Sequence, residues 1–248
     1  MDDFLRVYFA GDLFNHKDLV GNLLLAEAIG EKSDGRFQCV LPQNMEQTTG
    51  RSIDIRNQDL LEVMRADLLL LNFDGTELDS GTVVEFIYAK SLDIPCVILR
   101  SDFRSGGDEE IGGNPWNLMC SGYPRTEVMT LNGMAWYQES YRSTDSTNAA
   151  LDQLYQKLAV EVIARMEDVL KSPPLLPEDP AKAREIYRWG LSYPGRGVEN
   201  LLSDSELDQL ISTKRNKTSR LPFCCIFGFS FGIGFRILLL DGSIGYFR

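Results

Sequence analysis

Residues 67–73 read DLLLLNF, and this stretch decides the fold. Its four consecutive leucines leave no polar position that would face solvent in an alternating strand. A short, nearly continuous apolar run is typical of a strand that is buried on both faces, as in parallel sheets covered by helices. We therefore predict that residues 67–73 form an inner strand of a parallel sheet.

Strand and helix patterns alternate on both sides of this run. The predicted strands cover residues 5–11, 37–42, 95–102 and 127–137, and the predicted helices cover residues 18–30, 57–66, 82–94 and 146–171. This order predicts an α/β fold with an open, mostly parallel, doubly wound sheet of the flavodoxin or Rossmann type. Ligands of such folds bind beyond the carboxyl ends of the strands, so the functional residues are expected at that edge.

Composition divides the chain into three parts. Residues 1–171 hold the alternating pattern and are predicted to form the main domain. Residues 172–220 open with the proline-rich stretch SPPLLPEDP and continue as a small helical module, which makes a C-terminal helical extension. Residues 221–248 form an apolar tail of undetermined role, in which Arg236 and several glycines argue against a membrane span.

Charge and composition restrict the function. The net charge of −11 argues against nucleic acid as the main partner, because phosphate binding requires a basic face. The one histidine, His16, rules out a two-histidine zinc site and argues against a Ser-His-Asp triad, and we expect no metal and no cofactor. The five cysteines form no CxxC pair and the first residues are acidic, so we expect a reducing, cytoplasmic location and no membrane association.

The segment DSGTVVEF, residues 79–86, follows the inner strand and opens a helix. Its two carboxylates, Asp79 and Glu85, allow two interpretations. Thr82 and Glu85 fit the spacing of a capping box, in which the glutamate bonds the first turn of its own helix. Alternatively, an ionised Glu85 at the ligand edge of the sheet is a nucleophile. The local sequence does not decide between these two roles.

Asp59 is ambiguous in the same way. Asn57 is a plausible N-cap, which would make Asp59 a first-turn acid that only stabilises the helix dipole. The alternative role of Asp59, that of a proton donor, comes only from the resemblance described next.

Four separated segments resemble the nucleoside 2-deoxyribosyltransferase family. They are VYFAGDLF at residues 7–14, NQDLLEVMRADLLLL at 57–71, DSGTVVE at 79–85 and NLM at 117–119, and they occur in the order of the family. The resemblance covers roughly residues 4–170. Leu13 stands where some members carry tryptophan, and Glu46 stands where some carry glutamine. These two departures leave the preference for purine or pyrimidine bases undetermined.

The resemblance implies a reaction in which 2-deoxyribose moves between nucleobases with retention of configuration. Glu85 would be the nucleophile that forms a covalent glycosyl ester, as in retaining glycosidases. Asp59 would donate a proton to the leaving base. Tyr8 would hydrogen-bond Glu85 and hold it in line. The expected partners are 2'-deoxyribonucleosides and free nucleobases.

The resemblance also implies a set of substrate-binding residues. Asp79 and the Asn117 of a neighbouring subunit would hold the sugar hydroxyls, with Met119 on the same segment as Asn117. Glu46 and Gln43 are the candidates for contact with the base. A site completed by a second chain predicts a homo-oligomer with shared active sites.

Two other functions fit parts of this pattern. A related hydrolase acts on deoxynucleoside 5'-monophosphates, but it requires hydroxyl and basic groups for the phosphate where this chain carries Asp79. A non-catalytic nucleotide-sensing module, with residues 172–248 passing on the signal, is the second alternative. A base-exchange assay separates both alternatives from the transferase.

Overall fold

The computed structural model describes residues 4–45, 51–104 and 114–220. Glu46 and the apolar tail at residues 221–248 lie outside the described residues, so the predictions made for them remain predictions.

Five parallel strands form the sheet. They are β1 Leu5–Ala10, β2 Phe37–Val40, β3 Leu68–Asn72, β4 Cys96–Arg100 and β5 Thr126–Thr130. Their spatial order is β2-β1-β3-β4-β5, and every neighbouring pair is parallel. This is the open, doubly wound sheet that the sequence predicts, with the flavodoxin-like strand order.

The leucine run of β3 lies at the centre of the sheet. Leu69 and Leu71 belong to the apolar core on one face, and Leu68 and Leu70 belong to the core on the other. All four are fully buried because side chains alternate between the two faces of a strand and helices cover both faces here. The prediction of a strand buried on both faces is confirmed.

Seven helices cover the sheet. They are α1 His16–Lys32, α2 Ser52–Arg65, α3 Ser80–Ser91, α4 Gly133–Arg142, α5 Thr147–Leu170, α6 Pro180–Ser192 and α7 Asp204–Arg220 among the described residues. The helices α1, α4 and α5 pack together over one face. The helices α2 and α3 cover the other face, which is the face of Tyr8. None of the described helices is long and apolar enough to cross a membrane.

The C-terminal module shares the core of the α2–α3 face. Ala183 and Tyr187 of α6 and Leu207 of α7 lie in the same apolar cluster as Tyr8. Gly190 of α6 approaches Leu92 so closely that an added Cβ would lie 2.7 Å from its side chain. The helical extension therefore packs directly on the helices that follow β2 and β3.

Two boundaries differ from the sequence prediction. The helix predicted to start at Asn57 begins at Ser52, and Asn57 is buried inside it, where its side-chain amide donates to the carbonyl of Arg196 (2.9 Å). Asn57 is therefore not an N-cap. The run predicted as a fifth strand at residues 127–137 is a strand only to Thr130, because Asn132 caps a new helix, α4.

Candidate active site

The carboxyl ends of β1 and β3 place Tyr8 and Glu85 in contact. Tyr8 is a fully buried residue of β1, and Glu85 lies in the second turn of α3, which follows β3. The Tyr8 hydroxyl donates a hydrogen bond to Glu85 Oε1 at 2.6 Å. This is the short distance of a hydrogen bond to a carboxylate, and it fixes the direction in which Glu85 points.

The capping-box interpretation of Glu85 is wrong. Helix α3 begins at Ser80, and its N-cap is Asp79, whose Oδ2 accepts from the backbone N–H of Thr82 at 2.7 Å and from its hydroxyl at 2.9 Å. Glu85 therefore lies beyond the turn that a capping glutamate serves. Its hydrogen bond to Tyr8 replaces the predicted bond to its own helix.

Asp59 lies within reach of the same pair. Since α2 begins at Ser52, Asp59 is in the third turn of the helix, and the interpretation as a first-turn acid is wrong. The charge of Asp59 raises the pKa of both Glu85 and Tyr8, so the three groups are close enough to interact electrostatically. The side chain of Asp59 makes no hydrogen bond in the part of the chain that the structure describes.

Burial controls the protonation of both carboxyl groups. It raises the pKa of Glu85 to about 8, against the hydrogen bond from Tyr8, while the charges of Asp59 and Asp79 add to the rise. Burial, followed by the charge of Glu62, raises the pKa of Asp59 to about 6. Burial also raises the pKa of Tyr8, which stays a neutral donor.

These two pKa values mean that the carboxyl pair holds one proton between about pH 6 and pH 8. The proton rests mainly on Glu85, the group with the higher pKa. The state with an ionised Glu85 and a protonated Asp59 is the minor one in the free protein. A pair of groups that reacts through its minor protonation state is said to show reverse protonation.

The predicted sugar-binding residues take separate positions. Asp79 lies at the start of α3, close enough for its charge to raise the pKa of Glu85. Asn117 and Met119 belong to an exposed turn between β4 and β5, in which Asn117 Oδ1 accepts from the backbone N–H of Met119 at 2.9 Å. No hydrogen bond within the described residues joins Asn117 to Glu85, Asp59 or Tyr8.

The turn that carries Asn117 is anchored next to α3. Trp116 is buried, with its ring edge on Phe73 at 5.5 Å between centroids, and Tyr123 packs on Phe86 of α3 at 5.2 Å. Met119, by contrast, is 76% exposed. The apolar residues of this turn are therefore divided, with the tryptophan buried and the methionine facing outward.

The two residues predicted to contact the base are Gln43 and Glu46, and only Gln43 lies within the described residues. Gln43 follows β2, and its side-chain amide donates to the carbonyl of Leu19 in α1 at 2.8 Å. This bond connects the segment after β2 to α1, so Gln43 has a structural role in the described residues.

The sequence analysis did not identify the residues that connect the loops at the carboxyl edge of the sheet. Asp74, just after β3, accepts from the backbone N–H groups of Ser101 (2.5 Å) and Asp102 (2.8 Å) and so joins the loops after β3 and β4. Arg100, a buried residue at the end of β4, donates to the carbonyl of Phe73 at 2.5 Å. An arginine inside the otherwise apolar stretch CVILR was the available signal.

Three solved structures are similar to parts of the chain. A conserved protein from Enterococcus faecalis V583 has 27% identity and a TM-score of 0.43, over 62% of this chain and 99% of that one. A 2-deoxyribosyltransferase from Leishmania mexicana has 19% identity and a TM-score of 0.42, over 54% and 97%. A 2-deoxyribosyltransferase from Bacillus psychrosaccharolyticus has 17% identity and a TM-score of 0.39, over 58% and 95%.

Comparisons with curated protein sequences and with family models gave different results. No curated protein sequence matches the chain significantly. The family model described as nucleoside 2-deoxyribosyltransferase matches residues 7–119, a range that includes Tyr8, Asp59, Asp79 and Glu85. Residues 7–119 of the chain are therefore similar to the nucleoside 2-deoxyribosyltransferase family.

Proposed function

We propose that the protein transfers 2-deoxyribose from a 2'-deoxyribonucleoside to a free nucleobase by a retaining double displacement. The observation that carries this proposal is the partly buried hydrogen bond between Tyr8 and Glu85, with the charge of Asp59 acting on both groups. The family match supports the substrate class, because this pair lies inside the matched range.

In the first step, Glu85 is the nucleophile. An oxygen of its carboxylate bonds to the anomeric carbon, on the side opposite the base, as the bond to the base nitrogen breaks through an oxocarbenium-like transition state. Protonated Asp59 gives its proton to the departing base, so the base leaves neutral. The hydrogen bond from Tyr8 stabilises the ionised form of Glu85 and directs its oxygen.

The second step reverses the first with a different base. A nitrogen of the incoming base attacks the anomeric carbon, the ester bond to Glu85 breaks, and the carboxylate is regenerated. Asp59, now ionised, removes the proton from the incoming nitrogen. Two inversions give net retention, and no water enters the products.

We further propose that Asp79 and a neighbouring chain's Asn117 hold the sugar, with Met119 beside Asn117 and with Gln43 and Glu46 near the base. This part of the proposal rests on the family resemblance. It implies a homo-oligomer whose active sites are shared between chains. The net charge of −11 supports small-molecule substrates over nucleic acid.

Base exchange tests the proposal directly. Incubation of 2'-deoxyinosine or thymidine with adenine should give 2'-deoxyadenosine, measured by chromatography. Glu85→Ala should abolish the product, because loss of a covalent nucleophile removes most of the rate enhancement. Glu161→Ala, at an exposed glutamate of α5, is the matched control and should keep full activity.

Other outcomes of this assay point to the alternatives. Release of free base from deoxynucleoside 5'-monophosphates, without base exchange, would identify a hydrolase. Binding of the nucleotide with neither reaction would identify a sensing module. A fully active Glu85→Ala variant would refute the assignment of the nucleophile.

The role of Asp59 has its own test. Asparagine has nearly the same size but delivers no proton, so Asp59→Asn should slow 2'-deoxyinosine strongly. The base of 7-methyl-2'-deoxyguanosine leaves without added protonation, so this substrate should be slowed much less. Equal slowing of both substrates would mean that Asp59 only positions the substrate.

A further inference from the structure

One turn beyond Asp59, α2 carries a second carboxylate that is held on two sides. Glu62 is 8% exposed and lies three residues after Asp59, on the same side of the helix. Its carboxylate pairs with Arg6 of β1 in a close contact, and with Arg65 of its own helix at 3.0 Å. Two ion pairs therefore hold the Glu62 carboxylate in place, one helical turn from Asp59.

The groups around Asp59 come from three elements. Glu62 and Arg65 lie on α2, and Glu85 lies on α3. On β1, Arg6 and Tyr8 are two residues apart and therefore point to the same face of the sheet, the face that α2 covers. Asp59 thus shares α2 with the ion-paired Glu62, while its own charge acts on Tyr8 and Glu85.

The charge of Glu62 acts selectively on one of the two active-site carboxyl groups. After burial it is the next cause of the raised pKa of Asp59, whereas the charges that raise the pKa of Glu85 are those of Asp59 and Asp79. A negative charge disfavours ionisation of its neighbour. Glu62 therefore makes Asp59 hold its proton more tightly and acts less on Glu85.

We propose that Glu62 is a positioning residue that biases the proton shared by Asp59 and Glu85 toward Asp59. This inference rests on the proposed function, in which ionised Glu85 attacks and protonated Asp59 donates. Glu62 touches neither substrate nor reacting atoms in this scheme. It increases the population of the reactive protonation state, and its ion pairs with Arg6 and Arg65 hold its carboxylate in position.

A pair of variants with opposite expected signs tests the proposal. Glu62→Gln removes the negative charge and leaves two arginines, so the pKa of Asp59 should fall by about one unit. Arg65→Gln removes a positive charge while Arg6 keeps its ion pair with Glu62, so the pKa of Asp59 should rise, by roughly half a unit. Arg65 has a 41% exposed side chain, so this variant should fold even if Glu62→Gln does not.

The measurement is a carbon-13 NMR titration of the full-length protein, in which the Asp59 carboxyl signal is assigned from Asp59→Asn. It reports the pKa without any catalytic activity. The control is Glu167→Gln, which removes a comparable ion pair with Arg36 (2.8 Å) on the other face of the sheet and should leave the Asp59 titration unchanged. An unchanged Asp59 pKa in Glu62→Gln, or a fall in Arg65→Gln, would overturn the proposal.

Kinetics provide the functional readout. In reverse protonation, only a fraction of the protein molecules carry the reactive protonation state. At a pH between the two pKa values, this fraction depends on the difference between those values. A fall of about one unit at Asp59 should lower the plateau rate of Glu62→Gln about tenfold and move the acid limb of the profile down by the same unit. Glu62→Asp keeps the charge and should recover much of the rate. If Asp59 titrates as expected but no protein variant exchanges bases, the proposed function fails and the electrostatic role of Glu62 stands.

Discussion

The Tyr8 hydroxyl donates a 2.6 Å hydrogen bond to Glu85 Oε1 and joins β1 to α3 across 77 residues of sequence. Tyr8 is fully buried and Glu85 is half-buried, so solvent screens this bond less than it would at the protein surface. It opposes the effect of burial on Glu85, since the donor stabilises the charged carboxylate. This one contact therefore affects both the orientation of Glu85 and its protonation.

Tyr8→Phe removes the hydroxyl donor and tests how strongly this hydrogen bond affects the pKa of Glu85. Without the donor, the pKa of Glu85 should rise further, which lowers the reactive fraction. We expect a plateau rate that is lower by roughly tenfold to hundredfold, the range for a hydrogen bond to a charged group, and an alkaline limb shifted upward from about pH 8. The measurement is the pH dependence of base exchange.

A matched tyrosine is available as a control. Tyr88 lies on α3 as well and donates to the carbonyl of Gly190 at 3.1 Å. Tyr88→Phe should lower the free energy of unfolding slightly and leave the alkaline limb in place. If both variants shift the limb equally, the Tyr8 bond has no specific effect on Glu85.

The raised pKa of Glu85 also predicts a stability effect. An unfolded glutamate has a pKa near 4.3, so the folded state carries the buried charge of Glu85 at a cost that grows as pH rises from about 4.3 to about 8. Glu85→Gln mimics the protonated form. This variant should match the wild type near pH 4 and exceed its free energy of unfolding by roughly 1–3 kcal/mol at pH 8.5.

Urea unfolding at the two pH values measures this difference. Glu161→Gln, on the exposed face of α5, should give no pH-dependent gain. A Glu85→Gln variant that is equally stable relative to wild type at both pH values would mean that Glu85 ionises normally in the folded protein.

Asp93 fastens the C-terminal module to the sheet. Its Oδ2 accepts from the backbone N–H groups of Leu175 and Leu176 (2.7 and 2.9 Å) and pairs with Arg125 at 2.8 Å, with both charged side chains 8% exposed. Asp93 has a positive φ of 57°, which asparagine also tolerates. Asp93→Asn should therefore remove the negative charge without straining the backbone.

We expect Asp93→Asn to lower the free energy of unfolding by about 3–5 kcal/mol, because Arg125 would stay buried without its counter-charge. Asp168→Asn removes an exposed ion pair with Lys171 and should change stability by less than about 1 kcal/mol. Denaturant titration compares the two. Equal small losses would show that the Asp93 contact is not a principal attachment of the module.

The sequence alone was sufficient for the sheet but not for the start of α2. The leucines of β3 divide between the two cores because alternation is a local property of the backbone. Asn57 looked like an N-cap because a cap is also recognised locally. Its actual partner, the carbonyl of Arg196, is 139 residues away, and no local pattern indicates a contact of that range.

The candidate site was predictable only in part for the same reason. Thr82 and Glu85 have the spacing of one cap, while Asp79 and Thr82 form the real one, so the local sequence offered overlapping alternatives. Only the family resemblance suggested that Tyr8 meets Glu85. The ion pair between Arg6 and Glu62 has no counterpart in that resemblance and emerged from the packing of α2 on β1.

The turn after β4 predicts a site shared between chains. Trp116 is 3% exposed and anchors the turn, whereas Leu118 and Met119 are 68% and 76% exposed beside the exposed Asn117. Exposed apolar side chains next to a polar residue suit an interface. Under the proposed function, Asn117 of one chain completes the pocket that holds Glu85 of another.

Complementation tests this arrangement. Glu85→Ala and Asn117→Ala should each be inactive or nearly so, and a mixture that exchanges subunits should regain activity, because some assemblies then contain one intact pocket. For a dimer mixed in equal amounts, half the assemblies are mixed and about a quarter of all sites are intact. The matched control mixes Glu85→Ala with Asp59→Asn, whose residues belong to the same chain's half of the pocket, and should regain nothing. If native mass spectrometry detects mixed assemblies but the Glu85 and Asn117 variants stay inactive together, each chain carries a complete site and the shared-site model fails.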